Sequence, residues 1–375
     1  MISAGSSQEL VGVIDGHNDL PWTMRELCGY DLAAVSLASG EPRVQTDLPR
    51  LRAGGVTGQF WSVFVPCSLT GDAAVLATYE QIDFVHRLEA TFPRELAVCR
   101  TASEVEAAVA SGRIASLIGM EGGHSIDSSL EVLGSMHSRG ARYLTLTHNE
   151  NVPWADSATD VPVLGGLSGF GRDVVQEMNR LGMFVDLSHV SDQVMCDALD
   201  ISTAPVIFSH SSARALAAHP RNVPDDVLAR LGGNGGVCMV SFVSFFVSQR
   251  WVDWYFEMVD VAAARGLDPR KFEHLDPVLR EGAELAPPAP CVGEVADHVD
   301  HVREVAGLDH VGLGGDYDGA SDFPVGMDDV AGYPLLLEQL RGRGWSRGEL
   351  EQLGSGNVLR AMRDMEAAAD SGNAS

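Results

Sequence analysis

Six segments of this chain that carry histidine or acidic side chains share one layout. Each begins with β-forming residues and stops on His, Asp or Glu, followed by a polar or glycine-rich turn. They are VGVIDGHND (11–19), IASLIGMEGGH (114–124), RYLTLTHN (142–149), MFVDLSHV (183–190), PVIFSHSS (205–212) and HVGLGGDYDG (310–319). Two further apolar runs, VTGQFWSVF (56–64) and GVCMVSF (236–242), bring the count to eight. Eight strands with polar residues at their carboxyl ends are what a (β/α)8 barrel needs to build a site on one rim. The fold expected is therefore α/β, a (β/α)8 TIM barrel, as one metal-dependent hydrolase domain over residues 1–375.

The stretches between these runs alternate with them and have helical period, which argues for parallel strands. Helices are expected over 76–89, 101–110, 130–138, 171–181, 191–199, 224–231, 295–306, 327–340 and 346–362. Ser191 is suited to cap its helix and Pro224 to a first helical turn. Residues 247–290 are the least regular, with a helix over 251–265 and the proline-rich APPAPC (286–291). They read as an insertion over the barrel mouth between the seventh and eighth of these strands.

At 375 residues and 45% apolar composition the chain can bury a large core. Its net charge of −26 is spread along the chain, which argues against nucleic-acid and anionic-membrane partners. MISAGSSQEL has neither a positive start nor an apolar stretch of signal-peptide length. EAAADSGNAS lacks the apolar tail of a lipid-anchor signal, and no segment approaches a membrane span. A cytoplasmic location is expected. Six scattered cysteines without a CxxC pair argue against thiolate zinc and against a disulfide framework.

With thiolates set aside, zinc takes His nitrogen and carboxylate oxygen. His17 and Asp19 form an H-x-D pair at the end of the first run, although Asp19 before Leu20-Pro21 also suits a turn. His189 and His210 end neighbouring strands, close enough to share a second metal; singly, each is also explained as a satisfied core histidine. Two metals need a bridging ligand. The chain's one lysine, Lys271, lies in the irregular insertion, so a carboxylated lysine is excluded. Glu121, followed by two glycines, is the candidate bridge; the alternative is a solvated loop Glu.

These residues lie in stretches that together resemble the membrane (renal-type) dipeptidases, zinc dipeptidases of the amidohydrolase superfamily. The stretches are IDGHNDLPW (14–22), TGQFWSVF (57–64), EGGHSID (121–127), YLTLTHN with PWADS (143–149, 153–157), DLSHVS (186–191), VIFSHSSARAL (206–216), RNVPDD (221–226) and GGDYDG (314–319). The resemblance runs from about residue 13 to 360, and the chain looks like a bacterial member. It implies two Zn2+ per subunit, the first held by His17 and Asp19, the second by His189 and His210, with Glu121 bridging. It further implies that His148 contacts the scissile carbonyl and that Arg221 binds the dipeptide's free carboxylate. Asp316 would be the proton shuttle and would contact the free amine. The residue chemistry agrees: Arg is a planar fork for carboxylate, His148 can donate to a developing oxyanion, and an acid near the nucleophile can carry its proton. Taken singly, Arg221 is also explained as a surface residue and His148 as a polar strand terminus. Asp318, two residues beyond Asp316, competes for the shuttle role, with turn chemistry as its other explanation. Asn18 and Tyr255 are candidate pocket residues.

The implied activity is hydrolysis of L-Xaa-L-Xaa and L-Xaa-D-Xaa dipeptides through a metal-bridging hydroxide, by a homodimer. The alternatives are a β-lactam or N-acyl-amino-acid hydrolase on the same metals, and a metal-binding scaffold without turnover. In place of the family's second half-cystine this chain has Glu150, while Cys67 keeps the first. The insertion matches the family poorly, which leaves side-chain preference open.

Overall fold

The computed structural model describes residues 10–373. Residues 1–9 and 374–375 lie outside the described residues, and with them much of the terminal sequence on which a cytoplasmic location was expected. Among the described residues no helix is long and apolar enough to cross a membrane.

Nine strands form one parallel sheet: β1 Val13–Asn18, β2 Val56–Phe64, β3 Leu96–Val98, β4 Ile114–Glu121, β5 Ala141–Thr145, β6 Phe184–Asp186, β7 Ile207–Phe208, β8 Val237–Val240 and β9 Val311–Leu313. The order β2-β1-β9-β8-β7-β6-β5-β4 closes on itself because β2 also pairs with β4, from Gly58 opposite Ala115 to Phe64 opposite Glu121. This is the closed eight-stranded (β/α)8 barrel. The eight expected strands form it, and β3 is a ninth that the sequence reading did not include. It pairs with Ile114–Ser116 at the start of β4, before β5 joins at Ile118. Three residues are too few to show a period.

Aliphatic and aromatic side chains from around the barrel fill it, including Ile14, Phe60, Leu117, Tyr143, Phe184, Ile207 and Met239, all 0–1% exposed. Gly119 makes room for the largest of them, because a Cβ there would meet the Tyr143 ring at 1.9 Å. Val358, Ala361, Met362 and Met365 of the last helix, Asn357–Asn373, join this layer. Arg360 of that helix donates to the carbonyl of Asp309, just ahead of β9, so the helix closes the end of the barrel where the strands begin. The polar residues are left at the other end.

Most expected helices form within a few residues of their limits. Ser191 caps Asp192–Ile201 by accepting the Val194 N–H. Pro224 stands at the cap of Asp225–Leu228 rather than inside its first turn. The helix expected over 327–340 starts only at Tyr333 (Tyr333–Gly342). The last expected helix is divided into Arg347–Glu351 and Asn357–Asn373 by a wider turn at Gln352–Gly356. Helices that were not anticipated include Leu20–Cys28, Leu48–Ala53, Ser244–Val247 and Phe272–Gly282.

The insertion lies between β8 and β9. Its helices Gln249–Ala264 and Phe272–Gly282 pack on each other through Trp251, Trp254, Met258, Leu275 and Val278. Arg270 pairs with Asp160 at 2.5 Å, tying the insertion to the loop after β5.

Candidate metal centre

Glu121 is the last residue of β4 and lies at the middle of the polar rim. Its Oε2 is 3.4 Å from His17 Nε2; its Oε1 is 2.9 Å from His189 Nε2 and 3.4 Å from His210 Nε2. Ser62 Oγ donates to Oε2 at 3.2 Å. Asp19 Oδ2 is 3.2 Å from His17 Nε2. Asp19 opens the helix Leu20–Cys28, yet its side chain caps nothing, so its carboxylate faces the centre rather than serving the turn. The five expected metal-type residues are thus brought together, all 7% exposed or less. His17 and Asp19 arrive there by more than simple alternation, because the β1–β2 register shifts between Asp15 and Asn18. Such irregularities re-aim side chains beside functional sites.

Hydrogen bonds on the far side of the rings set the tautomers. Ser209 Oγ donates to Asp186 Oδ2 at 2.7 Å and lies 2.8 Å from His210 Nδ1, so it must accept the Nδ1–H. That leaves a lone pair on His210 Nε2, facing Glu121. Asp186 is held by four donors: Thr145 Oγ1, Ser209 Oγ, and the Ser188 and Ser209 amides. His17 Nδ1 meets the Tyr143 hydroxyl at 2.9 Å, and that hydroxyl donates to the Gly16 carbonyl at 3.3 Å. His17 Nε2 faces two carboxylates; against the effect of burial, Tyr143, Glu121 and Asp19 push its pKa well above the usual histidine range, so a cation, proton or metal, is favoured at that nitrogen. Burial holds His189 and His210 well below the usual histidine range, and they stay neutral. Their Nε2 atoms approach to 3.1 Å. No hydrogen bond fixes the far nitrogen of His189, whose Nδ1 is buried without a partner, and its Nε2 faces Glu121 with the others. Three imidazoles and two carboxylates, with no thiolate, are a donor set suited to zinc.

The remaining expected site residues border the same cavity of about 350 Å3, together with Asp19, Glu121, His189 and His210. Asp316 has a carboxylate oxygen within 4.8 Å of the ligand atoms of His17 and Asp19, and burial pushes its carboxyl well above the usual range. Asp318 also borders the cavity, but its Oδ1 accepts the Gln45 amide and its own N–H donates to Gln45 Oε1. That engagement favours Asp316 as the acid facing the centre. His189, Asp316 and Asp318 all have left-handed backbones, with φ of 67°, 66° and 64°. Non-glycine residues hold that conformation at a cost, and such positions cluster at functional sites. His148 reaches within 4.8 Å of the ligand atoms of Glu121 and His189, so it stands at ligand distance as well as facing the cavity. Cys67 Sγ lies 3.7 Å from its Nδ1. Arg221 is 2% exposed and has no carboxylate within 4.0 Å among the described residues.

Tyr255 borders the cavity as expected. Asn18 does not: its side chain accepts from Leu20 N and donates to Thr46 Oγ1. Sequence reasoning passed over Tyr143, Asp186 and Ser209, which hold the histidines. It also passed over Asp15, whose Oδ1 takes the amides of His17 and Gly315 and fastens the end of β1 to the chain after β9. The insertion contributes Tyr255, Leu275, Asp276 and Leu279 to the lining, with Phe245 and Phe246 just ahead of it, which is the roof over the mouth that the sequence suggested.

A closed parallel barrel with imidazoles and carboxylates gathered at its carboxyl rim defines the barrel metallohydrolases. Within that class the chain belongs to the membrane dipeptidase family, peptidase family M19, whose profile matches residues 6–375. It is 41% identical over 359 residues to Dipeptidase 3 of Mus musculus, covering 94% of this chain and 64% of that one. Dipeptidase 3 of Homo sapiens is also 41% identical over 359 residues, covering 94% and 65%. The chain thus spans less than two thirds of the length of these curated relatives. Among solved structures it resembles dipeptidase AC, a metallo peptidase, at a TM-score of 0.80 and 26% identity, covering 95% of this chain and 99% of that one. A metallo peptidase from Rhodobacter sphaeroides, liganded with a phosphinate mimic of L-Ala-D-Ala, matches at 0.80 and 24%, covering 95% and 100%; that likeness is one of fold.

Proposed function

We propose that this chain is a binuclear zinc dipeptidase acting on L-Xaa-L-Xaa and L-Xaa-D-Xaa dipeptides. The observation that carries the reading is Glu121, one oxygen toward His17 and the other toward His189 and His210, in a cavity that also holds a buried cation without a counter-ion. His17 and Asp19 would hold one zinc and His189 and His210 the other, with Glu121 shared. Bound zinc polarises a carbonyl and lowers the pKa of coordinated water from 15.7 to roughly 7.

The chain's own residues do the rest. Arg221 seats the dipeptide's carboxylate; a buried guanidinium facing a cavity is stabilised by an anion that brings its own charge. Its burial lowers its pKa only to about 10, so it stays charged at neutral pH. His148, held neutral by burial, donates to the carbonyl oxygen as that oxygen gains charge. Asp316, whose carboxyl burial pushes well above the usual range, would hand a proton to the leaving amine. A cavity roofed by the insertion and fixed at one end by Arg221 suits a substrate of two residues, since a longer peptide would misplace its carboxylate. A cytoplasmic location and a homodimer belong to the same reading.

Glu121→Gln tests the bridge. It should lower zinc occupancy at both positions, read as metal per chain after equilibrium dialysis. Loss at neither would mean that another residue joins the two halves.

A further inference from the structure

His219 precedes Arg221 by two residues and is 1% exposed. Its Nδ1 accepts the backbone N–H of Arg221 at 3.1 Å, which places the ring proton on Nε2. That Nε2–H is buried and has no hydrogen-bond partner, although the ring borders the same cavity as Arg221. Aromatic rings box the imidazole: Phe245, Phe246, Tyr255 and Phe256, with centroids at 5.8, 4.9, 5.1 and 5.5 Å. Tyr255 and Phe256 come from the insertion, and Phe245 and Phe246 from the short helix Ser244–Val247 that leads into it. The Phe246 ring also lies under the Arg221 guanidinium, at 5.0 Å, so one ring braces both donors. Arg221 is itself undersatisfied, with long contacts to Ser211 Oγ at 3.3 Å and the His210 carbonyl at 3.4 Å, and nothing on Nε. A buried donor without a partner is costly, and two beside one cavity mark a place where a ligand supplies the acceptor.

We propose that His219 is a second anchor for the substrate's terminal carboxylate, its Nε2–H donating to that group alongside the Arg221 guanidinium. The proposal rests on the reading of Arg221 as the carboxylate seat. It gives the insertion a role in recognition: its Tyr255 and Phe256, with Phe245 and Phe246, fix the His219 ring, so the insertion helps set the geometry of the seat as well as roofing it. The ligand class is an α-carboxylate with tetrahedral carbon beside it, as on the C-terminal residue of a dipeptide.

The test uses the zinc-loaded full chain with alanyl-alanine and its C-terminal amide. His219→Phe fills the box and removes the donor; His219→Gln retains an N–H. The Phe variant should raise KM for the free acid by about tenfold, with kcat within about twofold and the amide unaffected. The Gln variant should recover most of that loss. An equal rise for acid and amide, or a Gln variant as poor as Phe, would overturn the proposal and leave His219 as packing whose N–H is satisfied by the Phe246 or Tyr255 ring. Arg221→Ala separates the underlying reading: it should abolish the preference for acid over amide. If that preference survives, the carboxylate sits elsewhere and both claims fall. Calorimetric binding of alanine against alaninamide reads the same seat without turnover. Loss of the alanine preference in His219→Phe and its return in His219→Gln would support the proposal, and an undiminished preference in His219→Phe would overturn it.

Discussion

Asp316 and Ser209 mark the two kinds of residue this site depends on, one facing the substrate and one behind a ligand. Asp316→Asn removes the exchangeable proton and keeps the shape. It should retain both zincs and lose at least about a hundredfold in kcat; near-normal kcat would exclude the proton-shuttle role. Ser209→Ala breaks the link from Asp186 to His210 Nδ1 and frees the ring to choose its tautomer. Zinc affinity should fall by roughly 10–100-fold, measured by competition with a chromophoric chelator, and unchanged affinity would show that Asp186 does not act through Ser209. The first kind of residue was legible in the sequence. His17, Glu121, His189, His210 and Asp316 end apolar runs; singly most have an ordinary explanation, and it was their recurrence at equivalent strand ends, with the family resemblance, that set them apart. The second kind was not. Tyr143, Asp186 and Ser209 lie within or beside strands and look like ordinary barrel residues until the fold shows which ring each one touches.

Single helices are fastened to the barrel by polar contacts whose charge state matters. The helix Val292–Ala306 is held by His298, fully buried, which accepts the Ala213 amide on Nδ1 and donates from Nε2 to the Val247 carbonyl. Burial lowers its pKa to about 4 from 6.5, so the fold requires the neutral ring. Between those values the unfolded chain binds a proton that the folded chain refuses. The contribution is therefore complete above pH 6.5 and is lost as pH falls toward 4, about 3 kcal/mol in all. Urea midpoints at pH 7 and pH 5 should show wild type losing more stability than His298→Gln over that interval; equal losses would remove His298 as the source. Element by element, long strands and helices with clear period were legible. β3 was too short to register, and the wider turn at Gln352–Gly356 arises from tertiary contact, because a Cβ on Gly354 would lie 2.5 Å from the Gly12 carbonyl. No local pattern announces that approach.

Across the whole molecule, β2 and β4 close the barrel, the last helix plugs the end where the strands begin, and the insertion roofs the other end. The alternation of eight strands with helices made closure readable, because eight parallel strands with polar residues at the ends of six favour a barrel with one working rim. The insertion's partners were not readable, since Arg270 meets Asp160 across 110 positions of sequence and the two helices build a small core of their own. With 52 acidic and 26 basic residues, the chain as a whole is strongly negative. The central claim is that the cavity under the insertion binds a free dipeptide by both ends over two metals. The most direct test is hydrolysis of a panel of L-L and L-D dipeptides by the zinc-loaded protein, each beside its N-acetylated form, read as amino acid released. Strong turnover of free dipeptides, lost on acetylation, is the predicted result. Silence across the panel with two zincs bound, or equal turnover of the acetylated forms, would contradict the account and point to a lactam or N-acyl-amino-acid hydrolase on the same metals.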